Sequence, residues 1–306
     1  MLRLLVVTDL LPKSEFAIDR AGLLADELDA ELSLLHVVSP VSSERVLEQS
    51  LQMAIARMKS RVRSPLWRAK TTPHVMVRAG NPARVILDTI ASQEPDLLIV
   101  GPHERRGVVD ALQGTIIEKV VSARRCPVLV VQQSASAGYR NVLLALDAAT
   151  GSRAAVRAAE RLVLRDGVQA AAIHACASPD HAVLRLPGTA GAGAALHVDC
   201  SPGSAGAILR ELLEQESAEP TRYERIVASG NPLPAIMRAI ATRQPDLLVL
   251  GTRGDGRMRR AVLGSVANQV LKLAPCDMLI VPQGTSEAST AHDADRTVLS
   301  SAPMSA

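Results

Sequence analysis

A glycine-rich stretch in the second half of the chain has the composition and spacing of a phosphate-binding loop. Gly251, Gly254 and Gly264 occur in the order glycine, two residues, glycine, nine residues, glycine, and Ser265 follows directly. An apolar run precedes the stretch and a helical pattern follows it, so the loop joins a buried strand to a helix. Glycine lets the backbone come close to a ligand, and the unpaired N–H groups of a helix N-terminus attract an anion. A plain flexible connection is the alternative interpretation.

Four arginines lie in the same stretch, namely Arg253, Arg257, Arg259 and Arg260. Guanidinium groups match phosphate oxygens, although a solvated basic loop would have the same composition. The stretch is not a Walker A motif, because the Gly-Lys-Ser/Thr sequence is missing from it. The sequence also contains no metal-ligand cluster of familiar spacing, no nucleophile elbow and no HExxH motif. These residues therefore indicate phosphate binding without an identifiable catalytic arrangement.

The elements that must position this loop occur twice, because the chain is an internal repeat. The matched stretches are residues 4–9 with 142–147, 95–101 with 245–251, and 114–115 with 264–265. The first match has an offset of 138 residues and the later ones an offset of 150, so the second copy has gained 12 residues (150 minus 138). We place the insertion within residues 186–206, where Gly, Ala, Pro and Ser indicate a mobile surface loop. A lid over the ligand is the alternative.

Each copy reads as alternating strands and helices. Strands are predicted near residues 2–8, 31–38, 73–78, 96–100 and 127–131 in copy one, and near 140–146, 168–175, 223–228, 246–250 and 277–281 in copy two. Helices are predicted in copy one near residues 13–29, 43–63, 82–92 and 113–123. Residues 97–100 and 128–131 are continuous apolar runs, as expected of parallel strands that are buried on both faces. The pattern predicts an α/β fold, with helices on both faces of a parallel sheet.

The two copies resemble universal stress protein domains, and the chain looks like a tandem member of that family. The resemblance rests on the glycine loop and on the repeated strand ends, and it extends over nearly the whole chain. It implies a Rossmann-like, five-stranded parallel sheet per copy, of the adenine nucleotide α-hydrolase-like type, with strand order 3-2-1-4-5. We expect one domain at residues 1–134, a second at 139–284, and a disordered tail at 285–306, which is rich in Ser, Ala, Thr and Asp.

The resemblance also implies which residues hold a nucleotide. It assigns the phosphates to the glycine loop, through Gly251, Gly254, Gly264 and Ser265. Arg253 lies within that loop and is a further candidate for the phosphates. The implied ligand is ATP, with or without Mg²⁺, and no residue is assigned to a metal or to catalysis.

The nucleoside end of the ligand is assigned to residues at two other strand ends. Asp147 ends the first strand of copy two, and the resemblance places it on the ribose or adenine side, where a carboxylate accepts hydroxyl hydrogen bonds. A helix N-cap is the alternative role for this side chain, and both roles are compatible. The backbone of Ala175 is implied to hold the adenine edge. His174, the residue before it, is expected to be a buried side chain with a satisfied hydrogen bond.

Copy one departs from the loop pattern. Gly101, Gly114 and Asp9 are present, but Glu104 replaces the second glycine. A carboxylate there repels phosphate, and Pro102 removes an N–H donor. Copy one is therefore predicted to be a degenerate site with a structural or pairing role.

The overall composition limits the partners. The net charge is +3, and the aromatic side chains are one Phe, one Trp and two Tyr. Such a chain has neither a strong positive field nor stacking platforms, so we expect no nucleic acid partner. No apolar run approaches the roughly 18 residues that cross a membrane, so no membrane partner is expected. The four cysteines show no CxxC pair, which is typical of thiols in a reducing cytoplasm.

Two functional hypotheses remain at this point. In the first, the protein is a stress-response regulator or sensor that binds ATP in copy two, with slow ATP hydrolysis or autophosphorylation left open. In the second, the nucleotide site is vestigial, and the protein is an interaction module or binds a small ligand. The two final strands, at 127–131 and 277–281, are edge strands in the implied order. We expect them to pack together as an intramolecular pseudo-dimer, and a homodimer is compatible with this arrangement.

Overall fold

A computed structural model describes residues 1–40, 43–101, 116–123, 125–147, 150–176, 202–252 and 263–283. Copy one contains β1 (Arg3–Thr8), α1 (Ser14–Leu28), β2 (Glu31–Val38), α2 (Glu44–Arg63), β3 (His74–Ala79), α3 (Pro82–Gln93), β4 (Leu97–Val100), α4 (Ile116–Ala123) and β5 (Val128–Val130). Copy two contains β6 (Asn141–Ala145), α5 (Thr150–Leu162), β7 (Gln169–Cys176), α6 (Pro202–Glu216), a 3₁₀ turn (Pro220–Arg222), β8 (Tyr223–Ser229), α7 (Pro232–Arg243), β9 (Leu247–Gly251), α8 (Ser265–Leu273) and β10 (Asp277–Val281).

All ten strands belong to one sheet, in the order β3-β2-β1-β4-β5-β10-β9-β6-β7-β8. Within each copy the strands are parallel and follow the order 3-2-1-4-5, as the resemblance implied. The two copies meet where β5 pairs with β10 in antiparallel fashion, with Leu129 opposite Leu279. Because these two leucines are also equivalent in the repeat (279 minus 129 is 150), they mark a pseudo-two-fold axis.

The apolar strand runs form a core on each face of the sheet. All four residues of β4 are buried, as are all five of β10. One core lies under α1, α2, α5 and α6, and the other under α3, α4, α7 and α8. Each core contains residues of both copies, so the hydrophobic interior is continuous across the β5–β10 junction.

Local sequence explains where the crossover helices begin and end. Asn81 and Asn231 each accept a backbone hydrogen bond at the start of a helix, and a proline at the first helical position follows each of them. Glu94 and Gln244 end the same helices in the left-handed conformation, at φ 45° and 47°. These equivalent caps show that the repeat extends to the details of the crossovers.

The predicted α/β fold and strand positions are confirmed, with differences of at most one residue at strand ends. One expectation was wrong in part: residues 202–206 begin α6 rather than continuing a mobile loop, since Pro202 suits a first helical position. Residues 186–201, and hence the lid alternative, lie outside the described residues, as do the tail at 285–306 and the loop residue Glu104. Among the described helices, none is long and apolar enough to cross a membrane.

Candidate functional site

The carboxyl ends of three neighbouring strands place the predicted site residues at one edge of the copy-two sheet. Ala145 of β6 lies in register with Ile173 of β7 on one side and with Leu250 of β9 on the other. Asp147 and Ala175 therefore follow this row by two residues, and Gly251 follows it by one. Because adjacent strands are about 4.8 Å apart, the three positions share one short stretch of the sheet edge. This edge is where ligands of parallel α/β sheets bind.

The main chain of Ala175 faces the end of β6. The C=O of Ile173 accepts a 2.9 Å hydrogen bond from the N–H of Leu146. Backbone groups of a strand alternate sides with a period of two, so the N–H and C=O of Ala175 point in the same direction. The ladder between β6 and β7 ends at the pairing of Ala145 with Ile173. The small side chain of Ala175 is half-buried. The backbone N–H and C=O of this residue can form hydrogen bonds with a planar polar group placed at the strand end.

His174 fixes this strand end instead of serving as a ligand. Its side chain is 8% exposed, and Nδ1 lies 2.8 Å from the carbonyl oxygen of Leu146. Since a carbonyl only accepts, Nδ1 carries the proton and donates to it. His36 makes the equivalent 2.8 Å contact with the carbonyl oxygen of Thr8 in copy one. The prediction of a satisfied, buried histidine is confirmed.

Asp147 is held by a serine that sequence reasoning did not identify. The Ser152 hydroxyl donates to Asp147 Oδ1 at 2.8 Å and accepts from the Asp147 N–H at 2.7 Å. Ser152 is only 3% exposed, whereas Asp147 is half-buried. The buried hydroxyl thus fixes the orientation of the carboxylate at the strand end. The carboxylate retains accepting capacity beyond this bond, because it has two oxygens with two lone pairs each.

A second feature missed at the sequence level is a contact between two glycine backbones. A Cβ on Gly251 would lie 2.2 Å from the carbonyl oxygen of Gly151, and one on Gly151 would lie 2.3 Å from that of Thr252. The end of β9 therefore packs directly on the start of α5, which only glycines allow. The presence of glycine at 251 is accounted for by this packing, and its contact with a phosphate stays a prediction. A glycine in the first turn of a helix was the available signal, because it is unfavourable there without a packing reason.

The start of α8 provides open space beside this edge. Gly264 is the N-cap, its φ is −56°, and a Cβ added to it would meet no atom of the described residues within 4 Å. The helix has no side-chain cap on its first turn, and Ser265, its first residue, is exposed. The first N–H groups of the helix and the Ser265 hydroxyl are thus suited to an anion. Arg253 and Gly254 lie outside the described residues, so their predicted roles stay predictions.

At the equivalent sheet edge of copy one, the contacts of the aspartate and of the glycine differ from those in copy two. Asp9 accepts a 3.0 Å bond from the Leu11 N–H, which closes a local turn in place of the serine contact seen at Asp147. Lys13 occupies the position of Gly151 in the repeat (151 minus 138). A Cβ on Gly101 would lie 3.0 Å from the Ser14 Cα, so the corresponding backbone approach is wider than in copy two. The glycine pair that closes the edge is therefore specific to copy two.

A surface cavity of about 900 Å³ lies at the opposite edge of copy two, where the strands begin. Its charged lining is mixed, with Glu27, Glu160, Asp166 and Glu219 beside Arg140, Arg165 and Arg222. Arg165 already donates to the carbonyl oxygens of Glu160 and Leu164. Because its lining carries charges of both signs, the cavity is not suited to an anion. It is therefore not the candidate site, although it is large. Among the described residues, no group of three or more His, Cys, Asp or Glu could hold a metal ion.

Comparison with known proteins gives consistent results. The model of the universal stress protein family matches the chain twice, at residues 1–132 and 138–282. A universal stress protein of Mycobacterium tuberculosis is 27% identical over 198 residues, which are 63% of this chain and 63% of the relative, so the match covers less than two thirds of its length. A relative from Mycolicibacterium smegmatis is 25% identical over 295 residues, covering 91% of this chain and 96% of that protein. The crystal structure of a universal stress protein from Archaeoglobus fulgidus has a TM-score of 0.67 at 19% identity, over 93% of this chain and 97% of that chain.

Proposed function

The chain belongs to the universal stress protein family, and we propose that its second copy binds one adenine nucleotide, ATP, at the carboxyl edge of the sheet. In this proposal the protein is a regulator or sensor in a stress response, and nucleotide occupancy is the signal it reports. The arrangement of Asp147, Ala175 and Gly251 on three adjacent strands carries the proposal.

The chemistry of the edge matches the parts of the nucleotide. Asp147 is an anionic acceptor for ribose hydroxyl groups, and Ser152 holds its carboxylate in one orientation. The backbone of Ala175 would pair with the adenine edge without a requirement on the side chain. Gly264 and Ser265 would receive the phosphates at the start of α8, where Gly264 has no Cβ and no atom of the described residues lies within 4 Å of the Cβ position. Gly251 would contribute by joining β9 closely to α5, and Arg253 and Gly254 complete the proposed phosphate loop.

We assign the single nucleotide to copy two because copy one lacks several of these features. Glu104 stands where Gly254 stands in the repeat (254 minus 150), and a carboxylate near a phosphate costs on the order of 1 kcal/mol in water and more in a cleft. Asp9 accepts from the Leu11 N–H, whereas Asp147 is oriented by a serine, and the tight glycine contact of copy two is replaced by Lys13 and Gly101. Copy one would then serve as a permanent structural partner of copy two.

The proposal also includes the domain limits, the cellular location, the oligomeric state and the fate of the ATP. The domain limits at residues 1–134 and 139–284 are proposed from the repeat. The cytoplasmic location is proposed because the four cysteines form no CxxC pair and Cys126 and Cys276 are free thiols. Association of two chains into a homodimer is compatible with the proposal and is not required by it. Hydrolysis of ATP is left open, because the described residues of the site include no group placed as a general base.

Isothermal titration of the full-length chain with ATP, ADP and AMP tests the proposal. We expect binding that is lost in Gly254→Glu and weakened at least tenfold in Asp147→Ala. The matched control is Asp9→Ala, the equivalent residue of copy one, which should bind as the unmodified chain does. Absence of binding by all three nucleotides would favour the alternative, an interaction module with a vestigial site. Equal losses in Asp147→Ala and Asp9→Ala would contradict the assignment to copy two.

A further inference from the structure

A buried cluster of charged and polar side chains lies where the two copies meet. Arg20 of α1 and Asp277 of β10 are 6% and 1% exposed, and Arg20 Nε lies 3.2 Å from Asp277 Oδ2. The Nε–H does not point at that oxygen, so the attraction is that of an ion pair. Tyr139 donates its hydroxyl to the same oxygen at 2.7 Å, and its ring lies 3.9 Å from the guanidinium carbon of Arg20. Arg20 also donates to the carbonyl oxygen of Ala137 at 2.8 Å.

The other oxygen of Asp277 depends on the backbone that leaves β5. Oδ1 accepts the N–H of Gln132 at 2.8 Å and the N–H of Gln133 at 3.2 Å. The Oδ1 atom of this carboxylate is therefore satisfied by backbone donors of copy one, whereas Tyr139, the donor to Oδ2, belongs to domain two itself. A buried carboxylate is tolerated only with such partners, since an unpaired buried charge is strongly destabilising.

The pseudo-two-fold axis shows what stands at the symmetric position. There Asp277 corresponds to Pro127 and Gln132 corresponds to Pro282 (offset 150), while Arg20 corresponds to Ala158 (offset 138). The symmetric position thus lacks the carboxylate, the guanidinium and the counterpart of the Gln132 N–H, which gives the shorter of the two backbone hydrogen bonds. The second backbone donor has a counterpart, since Gln133 corresponds to Gln283 (offset 150).

This asymmetry favours an unlike pair, in which domain one packs on domain two, over a like pair, in which two copies of the same domain pack together. Two copies of domain two paired through β10 would bury two Asp277 carboxylates, each facing Pro282 without an N–H and Ala158 without a charge. Two copies of domain one paired through β5 would bury two Arg20 side chains that each face Pro127. The unlike pair buries one ion pair with its donors in place, and its symmetric side buries only apolar groups. Each like pair therefore buries two charges without the opposite charge that faces them in the unlike pair, although Asp277 keeps the hydroxyl of Tyr139 from its own domain.

We propose that the β5–β10 junction is a recognition surface for unlike domains, in which Asp277 selects a partner edge that offers the Gln132 N–H and the Arg20 guanidinium. Copy one pairs with copy two, and neither pairs with itself. The partner that this surface accepts is a domain with the features of copy one, supplied by the same chain or by a second chain through reciprocal exchange. The other ion pair across the copies, Arg161 with Asp96, does not reverse this preference, because Arg161 is 48% exposed and such pairs contribute little.

The composition of exchanged pairs tests the proposal. A protease site is inserted between Ser134 and Ala135 of the full-length chain, and the folded protein is cut there. The cut protein is unfolded in urea, refolded and analysed by native mass spectrometry. We expect pairs of unlike halves, with like pairs at least about a hundredfold rarer, because each like pair buries two charges without an opposite charge. A mixture near the statistical 1:2:1 ratio would overturn the proposal.

Charge removal provides the matched comparison. In the double variant Arg20→Met with Asp277→Asn, the penalty on like pairs is largely removed, and their share should rise at least tenfold. The control is Glu224→Gln with Arg243→Met, which removes an exposed ion pair far from the junction and should leave the composition unchanged. No increase in like pairs in the junction variant would contradict the proposal.

A measurement on the uncut chain keeps the proposal testable if the halves do not refold. Thermal unfolding is compared for Arg20→Met, Asp277→Asn and the double variant. Each single change leaves one buried charge alone, so the double variant should unfold at a higher temperature than either single variant. Additive losses would show that the two side chains do not interact, and the proposal would then be wrong.

Discussion

Replacing Gly251 with alanine separates the structural role of the glycine loop from its role in binding. The added Cβ would lie 2.2 Å from the carbonyl oxygen of Gly151, whereas ordinary contact begins at 3.4 Å. The end of β9 and the start of α5 would therefore have to separate by about 1 Å, and overpacking of this kind costs roughly 1–3 kcal/mol or more. The obstructing atoms belong to the backbone on both sides, so no side chain can rotate away. We expect a cost at the upper end of that range.

The matched control is Gly264→Ala, at the other end of the proposed phosphate loop. Its Cβ would have no atom within 4 Å in the part of the chain that the structure describes, and the φ of −56° suits alanine. Folding stability should therefore change by less than about 0.5 kcal/mol, as for substitutions away from packed features. The new methyl group would lie where the phosphates are proposed to approach, so ATP affinity should fall.

Thermal unfolding and titration calorimetry of both variants measure these two effects. For a chain of 306 residues, an unfolding entropy of about 2.1 cal/mol/K per residue makes about 3 kcal/mol correspond to a fall in Tm of roughly 5 °C. We expect Gly251→Ala to show that fall, and Gly264→Ala to keep its Tm while losing affinity for ATP. A Gly251→Ala variant with an unchanged Tm would refute the packing argument. Unchanged affinity in Gly264→Ala would refute the placement of the phosphates at the start of α8.

Three further predictions concern named side chains. Ser152→Ala should weaken ATP binding several-fold in calorimetry, because it releases the Asp147 carboxylate. Ser14→Ala, the equivalent change in copy one, should leave binding unchanged, and equal effects of the two changes would contradict the positioning role of Ser152. Ser265→Ala should cost about 1 kcal/mol or somewhat more, roughly a five- to tenfold loss of affinity, and no loss would remove Ser265 from the site. Burial raises the pKa of Cys126 to about 12 and that of Cys276 to about 11. Because these thiols ionise nearer pH 9 in the unfolded chain, the free energy of unfolding should fall as the pH rises above that value. A double Cys126→Ala/Cys276→Ala variant whose Tm falls as steeply between pH 8.5 and 10.5 would contradict this cause.

The strands and their order could be predicted because their signals are local and repeated. The apolar run of β4 is buried on both faces, and the same pattern at β9 gave a second, independent instance of it. Asn81 and Asn231 mark equivalent helix starts, so each copy supported the interpretation of the other. The insertion in copy two has no counterpart in copy one, so the two copies could not be compared there. The start of α6 at Pro202 was therefore assigned to a loop.

The contacts that refine the site could not be predicted because they depend on how the elements of the whole sheet edge come together. Gly151 approaches Gly251 through the backbone, and nothing in either local sequence specifies that partner. Ser152 reaches back to Asp147 only because α5 starts at the strand end, a geometry set by the whole edge. Arg20 and Asp277 likewise meet only after both copies have formed and β5 has paired with β10.

Equilibrium dialysis of the full-length chain against labelled ATP measures how many nucleotides each chain binds. We expect saturation at one ATP per chain, because copy two has the complete loop and copy one has Glu104 in place of the second glycine. We also expect that Gly254→Glu abolishes binding while the far-ultraviolet circular dichroism stays that of the unmodified protein. Two equal sites per chain, or a Gly254→Glu variant that folds and binds ATP with unchanged affinity, would contradict the proposal.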